Sequence, residues 1–201
     1  MNKKVFQIDL EILTGLHIGS GNDSVQIGGV DSAVIKDPIL QIPYIPGSSL
    51  KGKIRCLLET EAGYGERNDL LNCFFGATSD FIKSKKNDPD FKETPTRLIF
   101  RDMKLTPEDK ERFLSGEINT ETKTEIKIDR QKGKAQDGGL RSIERVPASI
   151  RFKSELLVRY KDEEELKKIE EMVRQGIVLL NNDYLGGSGS RGYGAVNLKI
   201  S

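Results

Sequence analysis

The chain has 201 residues, 36% hydrophobic and 31% charged, the balance of a globular protein with one principal core and long excursions from it. Its 32 Lys and Arg against 31 Asp and Glu leave a formal net charge of +1, so any surface for a polyanion has to come from segregating charge onto one face. Two cysteines, Cys56 and Cys73, are too few for a disulfide scaffold and lack metal-finger spacing. Both are expected as small buried hydrophobes. The N-terminal segment alternates and lacks a signal-peptide core, and no apolar run is long enough to cross a bilayer. A cytoplasmic protein is expected.

Val5 to Ile12 alternates, with Phe6, Ile8, Leu10 and Ile12 on one side and Gln7, Asp9 and Glu11 on the other, which predicts a strand with one buried face. A glycine-rich stretch follows through Gly19, Gly21, Gly28 and Gly29, then a brief strand at Val34-Ile35. Pro46-Gly47 leads into a helix with Leu50, Ile54, Leu57 and Leu58 on one face, capped by Ser48 or Ser49. Gly52 inside its first turns implies that something packs or binds closely there. Between Asn72 and Asp90 periodicity is lost, which reads as an exposed loop. Strand character returns at Thr96 to Met103, and Thr106-Pro107 opens a short helix ending near Leu114.

Asn119 to Arg130 alternates as one arm of an extended hairpin with a polar tip, and its few apolar residues predict that it protrudes. Ile150 to Val158 is a further half-buried strand. Asp162 to Arg174 is the clearest helix, with Asp162 as cap and Glu165 in the capping-box position. A short apolar run, Ile177 to Leu180, leads to the loop Gly186 to Gly194, and Ala195 to Ile200 forms the last strand. The order strand, helix, insertions, strand, helix, strand predicts an α+β fold with a ferredoxin-like core.

Several places can carry ligand chemistry. The start of the first helix offers N–H donors at Gly47, Ser48 and Ser49 beside Lys51, Lys53 and Arg55, a phosphate site or an ordinary cap with a solvated basic face. The tail loop is no Walker or Rossmann motif; Arg191 can bridge phosphate oxygens, and Tyr193 can stack on a base or bury itself. Asp31 stands in Gly28-Gly29-Val30-Asp31-Ser32; a loop carboxylate can hold a divalent ion or simply cap a turn. Asp37 has stronger turn character, and Asp102 is a weaker candidate. His17, the one histidine, excludes a paired-histidine mechanism within one chain; it is either an RNA contact or a half-buried ring bonded to backbone. The hairpin carries Lys123, Lys127, Arg130 and Arg145 among acids, with Ile143 and Val146 placed to wedge or pack.

Taken in order, these pieces resemble a known family. Leu13-Thr14-Gly15-Leu16-His17-Ile18-Gly19, Ile27 to Ser32, Ile42 to Lys53, Leu98 to Asp102, Lys123 to Arg130, Ile143 to Pro147 and the glycine-rich tail together resemble the repeated backbone subunit of type III-A CRISPR (Csm) effectors, in the RAMP superfamily. The resemblance implies one RRM-like domain over residues 1–201, with a lid-like insertion near 66–95 and a thumb-like hairpin near 119–147. It implies copies of the chain assembled along a CRISPR guide RNA with other type III-A subunits, binding complementary target RNA and cutting it at regular intervals. Asp31 matches the family's catalytic, ion-holding aspartate; Mg²⁺ or another divalent cation is the implied cofactor. His17, Lys51 and the Arg191 region match RNA-contacting parts of the family, and Ser48, Ser49, Lys53, Arg55, Tyr193 and the hairpin cations Lys123, Lys127, Arg130 and Arg145 are the further RNA contacts expected from the residues themselves. A non-catalytic scaffold is the nearest alternative; a precursor-RNA-processing endonuclease is a more distant one.

Overall fold

In the computed structural model of the chain, the described residues are 1–21, 30–61, 69–88 and 95–201. The alternating N-terminal segment is β1 (Asn2–Ile12), extended beyond the expected start because Asn2 to Val5 already pair with Leu157 to Tyr160. Helix α1 (Gly47–Glu61) follows, then α2 (Asp69–Phe75), α3 (Ser79–Lys85), and the short strands β2 (Leu98–Phe100) and β3 (Lys104–Leu105). After α4 (Pro107–Leu114) come the hairpin strands β4 (Glu121–Asp129) and β5 (Lys134–Arg145). The chain closes with β6 (Arg151–Tyr160), α5 (Glu163–Asn181), a 3-10 turn at Gly189–Arg191 and β7 (Val196–Ile200).

The main sheet runs β2-β6-β1-β7, with β3 also on β6, and its paired strands are antiparallel. Counting β2 with β3 as one strand, the order is fourth, first, third, second, the ferredoxin-like arrangement that the element order predicts. Phe6, Ile8, Leu10 and Ile12 face Phe152, Leu156, Val158, Leu198 and the apolar stripes of α1 and α5 in one buried cluster. Burying each such side chain contributes about 1.5–3 kcal/mol. The other sheet face carries Gln7, Asp9, Glu11, Arg151, Lys153, Glu155, Asn197 and Lys199. These residues offer no aromatic platform for stacked bases, so the sheet face lacks the feature that lets an RRM read RNA.

Several expectations need correction. The segment expected as a loop between Asn72 and Asp90 holds the end of α2 and all of α3, because Phe74, Phe75 and Phe81 are buried and hold the turns against the body. Residues 62–68 and 89–94 of the lid-like region, and the Gly28-Gly29 pair, lie outside the described residues. Helix α5 does not stop at Arg174 but runs through Gly176 to Asn181. The glycine lets α5 approach α1: a Cβ there would stand 2.5 Å from Ile54 Cγ2. Asp162 caps α5 as expected, but Glu165 accepts from Lys161 N–H, not from its cap residue, while also pairing with the buried Arg97. Cys56 is exposed and Cys73 half-buried, since the buried stripe of α1 is Leu50, Ile54 and Leu58. Val34 makes only an isolated bridge to Gly19.

The hairpin is a separate two-stranded sheet, turning at Arg130 to Gly133, so most of the expected polar tip belongs to β5. It leaves Ile126, Ile128 and Leu140 exposed, whereas Ile143 and Val146 are buried at its base. Those two residues therefore pack the joint and cannot act as wedges. The half-buried side of β4 is the charged one, Glu121, Lys123 and Glu125.

The α1–α5 contact yields a first prediction. Gly176→Ala gains helix propensity of about 1 kcal/mol but forces a Cβ into Ile54, and overpacking costs about 1–3 kcal/mol. Denaturant unfolding is expected to show a net loss of stability; an equal or more stable variant contradicts the close helix contact.

Candidate nucleic-acid interface

The first helix begins one residue before its expected caps. Gly47 is buried at the N-terminus of α1, and its N–H donates to Asp102 Oδ1 at 2.8 Å. A buried N–H must find a partner, and Asp102, just past β2, is the residue that provides it. Ser49 and Leu50 N–H both donate to the Pro46 carbonyl. Ser48 and Ser49 are thus first-turn residues, not caps, and the amides expected to receive a phosphate are largely satisfied from within. A Cβ on Gly47 would meet the Phe100 carbonyl oxygen at 2.3 Å, which explains the glycine at this position.

The basic residues of α1 separate into different roles. Arg55 ties α1 to α2, donating to Asn72 Oδ1 and the Gly76 carbonyl and pairing with Glu59. Lys53 pairs with Asp183 at 2.7 Å and lies 3.8 Å from the centre of the Tyr184 ring. Lys51 has no carboxylate partner among the described residues. Burial first, then the neighbouring Arg55 charge, pushes its pKa below the ordinary lysine value. An anion beside Lys51 would relieve both penalties. Gly52 faces open space, with nothing within 4 Å of a Cβ; no part of the described chain packs there.

Asp183 and Tyr184 lead directly into the glycine-rich tail. Gly186 has φ +78°, and a Cβ on it would stand 2.3 Å from the His17 carbonyl oxygen. The Gly187 N–H donates to that same carbonyl at 2.9 Å. Glycine is needed because the tail crosses the His17 backbone with no room for a side chain.

His17 is half-buried, and both its ring nitrogens are engaged. Nδ1 lies 2.6 Å from the Glu144 carbonyl oxygen and therefore carries the proton; in the neutral ring Nε2 accepts from Ser32 Oγ at 3.2 Å. Of the two expected roles, the backbone-bonded one describes its geometry. Tyr193 likewise buries itself, at 1% exposure, with Lys123 Nζ 4.5 Å and Arg145 Cζ 4.8 Å from its ring centre. Its ring is closed to a base; burial, then the Glu125 carboxylate, raises its pKa. Arg145 pairs with Glu121 and Arg191 with Glu125. Lys127 and Arg130 are exposed on the hairpin.

Asp31 sits at the edge of the hairpin base, exposed to solvent. Its N–H donates to the Ser142 carbonyl at 2.9 Å, and the Ser142 N–H donates to Asp31 Oδ2 at 2.6 Å. Oδ1 has no partner among the described residues. Asp37, by contrast, accepts from Ile39 and Leu40 N–H in the expected turn, which lowers its pKa. Among the described residues no group of three or more His, Cys, Asp and Glu is arranged to hold a metal ion, and no helix is long and apolar enough to cross a membrane.

A buried carboxylate that sequence reading missed completes the cluster. Glu144 accepts from Val34 N–H at 2.9 Å, Lys36 Nζ at 2.6 Å and Thr120 Oγ1 at 2.5 Å. Burial raises its pKa, but these donors outweigh it and hold the value below 4.5. Lys53 pairs with Asp183 at the entry of the tail, the Gly187 N–H meets the His17 carbonyl, and the His17 ring joins Ser32 to Glu144 beside Asp31. Residues distant in the chain thus meet around His17.

Fold and cluster together define a ferredoxin-like domain with a hairpin fastened to the glycine-rich tail and to the turn after β1. Residues 9–197 match the model of the RAMP superfamily. The chain belongs to that superfamily, in its Csm3 family. It is 42% identical over 202 residues to the CRISPR system Cms endoribonuclease Csm3 of Streptococcus thermophilus, covering 95% of this chain and 84% of that one. The protein of the same name from Methanocaldococcus jannaschii is 39% identical over 201 residues, covering 98% and 79%. A chain of the Csm3–Csm4 subcomplex in the type III-A CRISPR-Cas interference complex superposes with a TM-score of 0.58 at 29% identity, covering 98% of this chain and 76% of its own. A chain of the apo type III-B Cmr-beta complex shares the fold, with a TM-score of 0.66 at 18% identity over 98% of this chain and 96% of its own.

The Glu144 cluster predicts a pH dependence. A carboxyl whose folded pKa is depressed contributes stability above its unfolded value and loses it as pH falls through the folded one. Wild type is therefore expected to exceed Glu144→Gln in unfolding free energy most clearly above the ordinary glutamate value of 4.5. The gap should close as the pH is lowered beyond it; a gap independent of pH contradicts the charged role.

Proposed function

We propose that the chain is a guide-RNA-binding backbone subunit of a type III-A CRISPR interference complex, and that it cleaves complementary target RNA with Asp31 as the key acidic residue. Its partners are the guide, the target, further copies of itself and the other subunits of the complex. The observation that carries this reading is Asp31: a solvent-facing carboxylate fixed through one oxygen at the hairpin base, in a chain alike over nearly its whole length to proteins named endoribonuclease.

The chemistry follows from what RNA supplies. A target 2′-hydroxyl oxygen attacks the adjacent phosphorus, the bond to the 5′ oxygen breaks, and the products are a 2′,3′-cyclic phosphate and a 5′-hydroxyl. No serine or cysteine nucleophile is required. Attack in line needs a nucleotide splayed out of the stacked helix, and the protruding hairpin, with Ile126, Ile128 and Leu140 exposed, has the shape to part a duplex.

Asp31 suits a divalent ion only in a particular way. Mg²⁺ keeps several waters and is often held by one or two carboxylates plus substrate phosphates. A single available oxygen on Asp31 fits such an ion and does not fit an all-protein cage. When bound, the ion offsets charge on the phosphate. The chain's own part is to hold Asp31 still through Ser142, to present Lys51 and the hairpin cations Lys127 and Arg130 to the backbone, and to bury the apolar joint beneath them. His17, with both ring nitrogens engaged, favours this reading over histidine-driven processing of precursor RNA.

Two measurements test the proposal. In the assembled complex, Asp31→Ala is expected to lower target cleavage by about 10²-fold or more while leaving target affinity in place, and a chelator should do the same to wild type. Cleavage at the wild-type rate by the variant removes Asp31 from the chemistry and favours a pure scaffold. Separately, Lys51→Met should weaken guide binding and reduce the slope of log affinity against log salt by about 1. An unchanged slope means that Lys51 meets no phosphate.

A further inference from the structure

We infer that Glu144 is a positioning residue for Asp31: its buried carboxylate fixes the 31–36 segment to the hairpin base and so sets where the Asp31 carboxylate stands. The inference rests on Asp31 being the cleaving residue. It goes further by assigning a residue that touches neither RNA nor ion.

The geometry argues it in three steps. First, the described contacts of Asp31 lie on β5. Asp31 and Ser142 exchange two hydrogen bonds, Ser32 N–H donates to the Ser142 carbonyl at 3.3 Å, and Glu144 N–H donates to the Ser32 carbonyl at 2.9 Å. Asp31 therefore keeps its place only as long as this short parallel bridge keeps its register.

Second, three backbone bonds at a solvent-facing edge are weak by themselves, because water competes for each of them. The Glu144 side chain adds a second row. It reaches past the bridge to Val34 and Lys36 on the segment that carries Asp31, and across to Thr120 at the entry of the hairpin. At 7% exposure it is one of few buried charged residues in the described chain. Hydrogen bonds to a charged group are stronger than those between neutral backbone groups, so this carboxylate outweighs the backbone bridge it reinforces.

Third, the carboxylate has no substitute of equal shape. An amide in its place offers one acceptor oxygen and turns an N–H₂ group toward the Val34 N–H or the Lys36 ammonium, both donors. The register of residues 31–36 then loses a support that neither His17 nor Ser32 replaces, since they hold the Glu144 carbonyl and each other.

The test uses the assembled complex with guide and target, and compares Glu144→Gln, Asp31→Ala and the double variant at saturating target. Glu144→Gln is expected to slow the cleavage step by about 10- to 100-fold, the usual cost of losing an outer support of a reacting group, with target Kd within about 2-fold. The double variant should be no slower than Asp31→Ala alone, because both act on one group. Hydrogen exchange gives a readout apart from activity: amide protection at Ser32, Val34 and Glu144 should be lost in Glu144→Gln. Wild-type cleavage by Glu144→Gln beside an inactive Asp31→Ala overturns the inference and leaves the proposed function standing. An active Asp31→Ala overturns the cleavage assignment itself, and the inference with it. Parallel loss of cleavage and target binding in Glu144→Gln contradicts positioning and indicates general damage. If Glu144→Gln does not assemble, Thr120→Val removes one donor at similar shape; slower cleavage with unchanged Kd supports the inference, and unchanged cleavage overturns it.

Discussion

The joint between the hairpin base and the short stretch from Asp31 to Lys36 is the constraint on which the rest of the site depends. A two-stranded hairpin is marginal in water unless something packs against it. Here its inner end is fastened by Ile143 and Val146 in the buried joint, by the Glu144 carboxylate, and by the Lys123–Tyr193–Arg145 stack. The same fastening lets the outer end project with apolar side chains in solvent.

The ferredoxin-like sheet supplies the platform but not the chemistry. Its open face carries charged and amide side chains with Val5, Ile99 and Leu157 and, among the described residues, no aromatic ring, so bases have nothing there to stack on. On the proposed reading the RNA surface lies instead where the turn after β1, the glycine tail and the hairpin converge, with α1 joined to the tail through Lys53. The glycines of the tail allow this convergence by letting backbone cross backbone at His17 and Leu185. Near-neutral net charge is compatible with an RNA surface because many cations in this region, Lys53, Arg55, Arg145 and Arg191 among them, pair with acids of the chain itself, while Lys51, Lys127, Arg130, Lys134 and Arg141 carry no such pair among the described residues.

Strand and helix periodicity made the core legible. Phe6, Ile8, Leu10 and Ile12 on β1 and the stripe of α5 required only local pattern, and the order of elements then pointed to the right topology. Local pattern failed where partners are remote. Nothing near Glu144 in the sequence marks it as a clamp, because Val34, Lys36 and Thr120 become its neighbours only after folding. The same is true of Asp102, whose partner Gly47 lies 55 residues away. For Tyr193 and His17 the sequence left binding and packing open, because such side chains suit RNA and a polar interior equally; folding decides for packing. The helix pattern is legible only to Arg174, because the close approach of Ile54 that makes Gly176 useful within α5 is not a local feature. The Asp31 motif became specific only as one of several ordered motifs that together resemble a single family.

The central claim concerns where one oxygen of Asp31 meets the target. A structure of the guide-loaded complex with uncleaved target, blocked by a 2′-deoxy nucleotide at the scissile position, tests it most directly. The account predicts the Asp31 carboxylate beside the scissile phosphate, with Oδ1 turned toward it and available to any divalent ion bound there, and with Oδ2 still accepting from Ser142. A target phosphate remote from Asp31, with Oδ1 turned back onto the chain's own backbone, contradicts it.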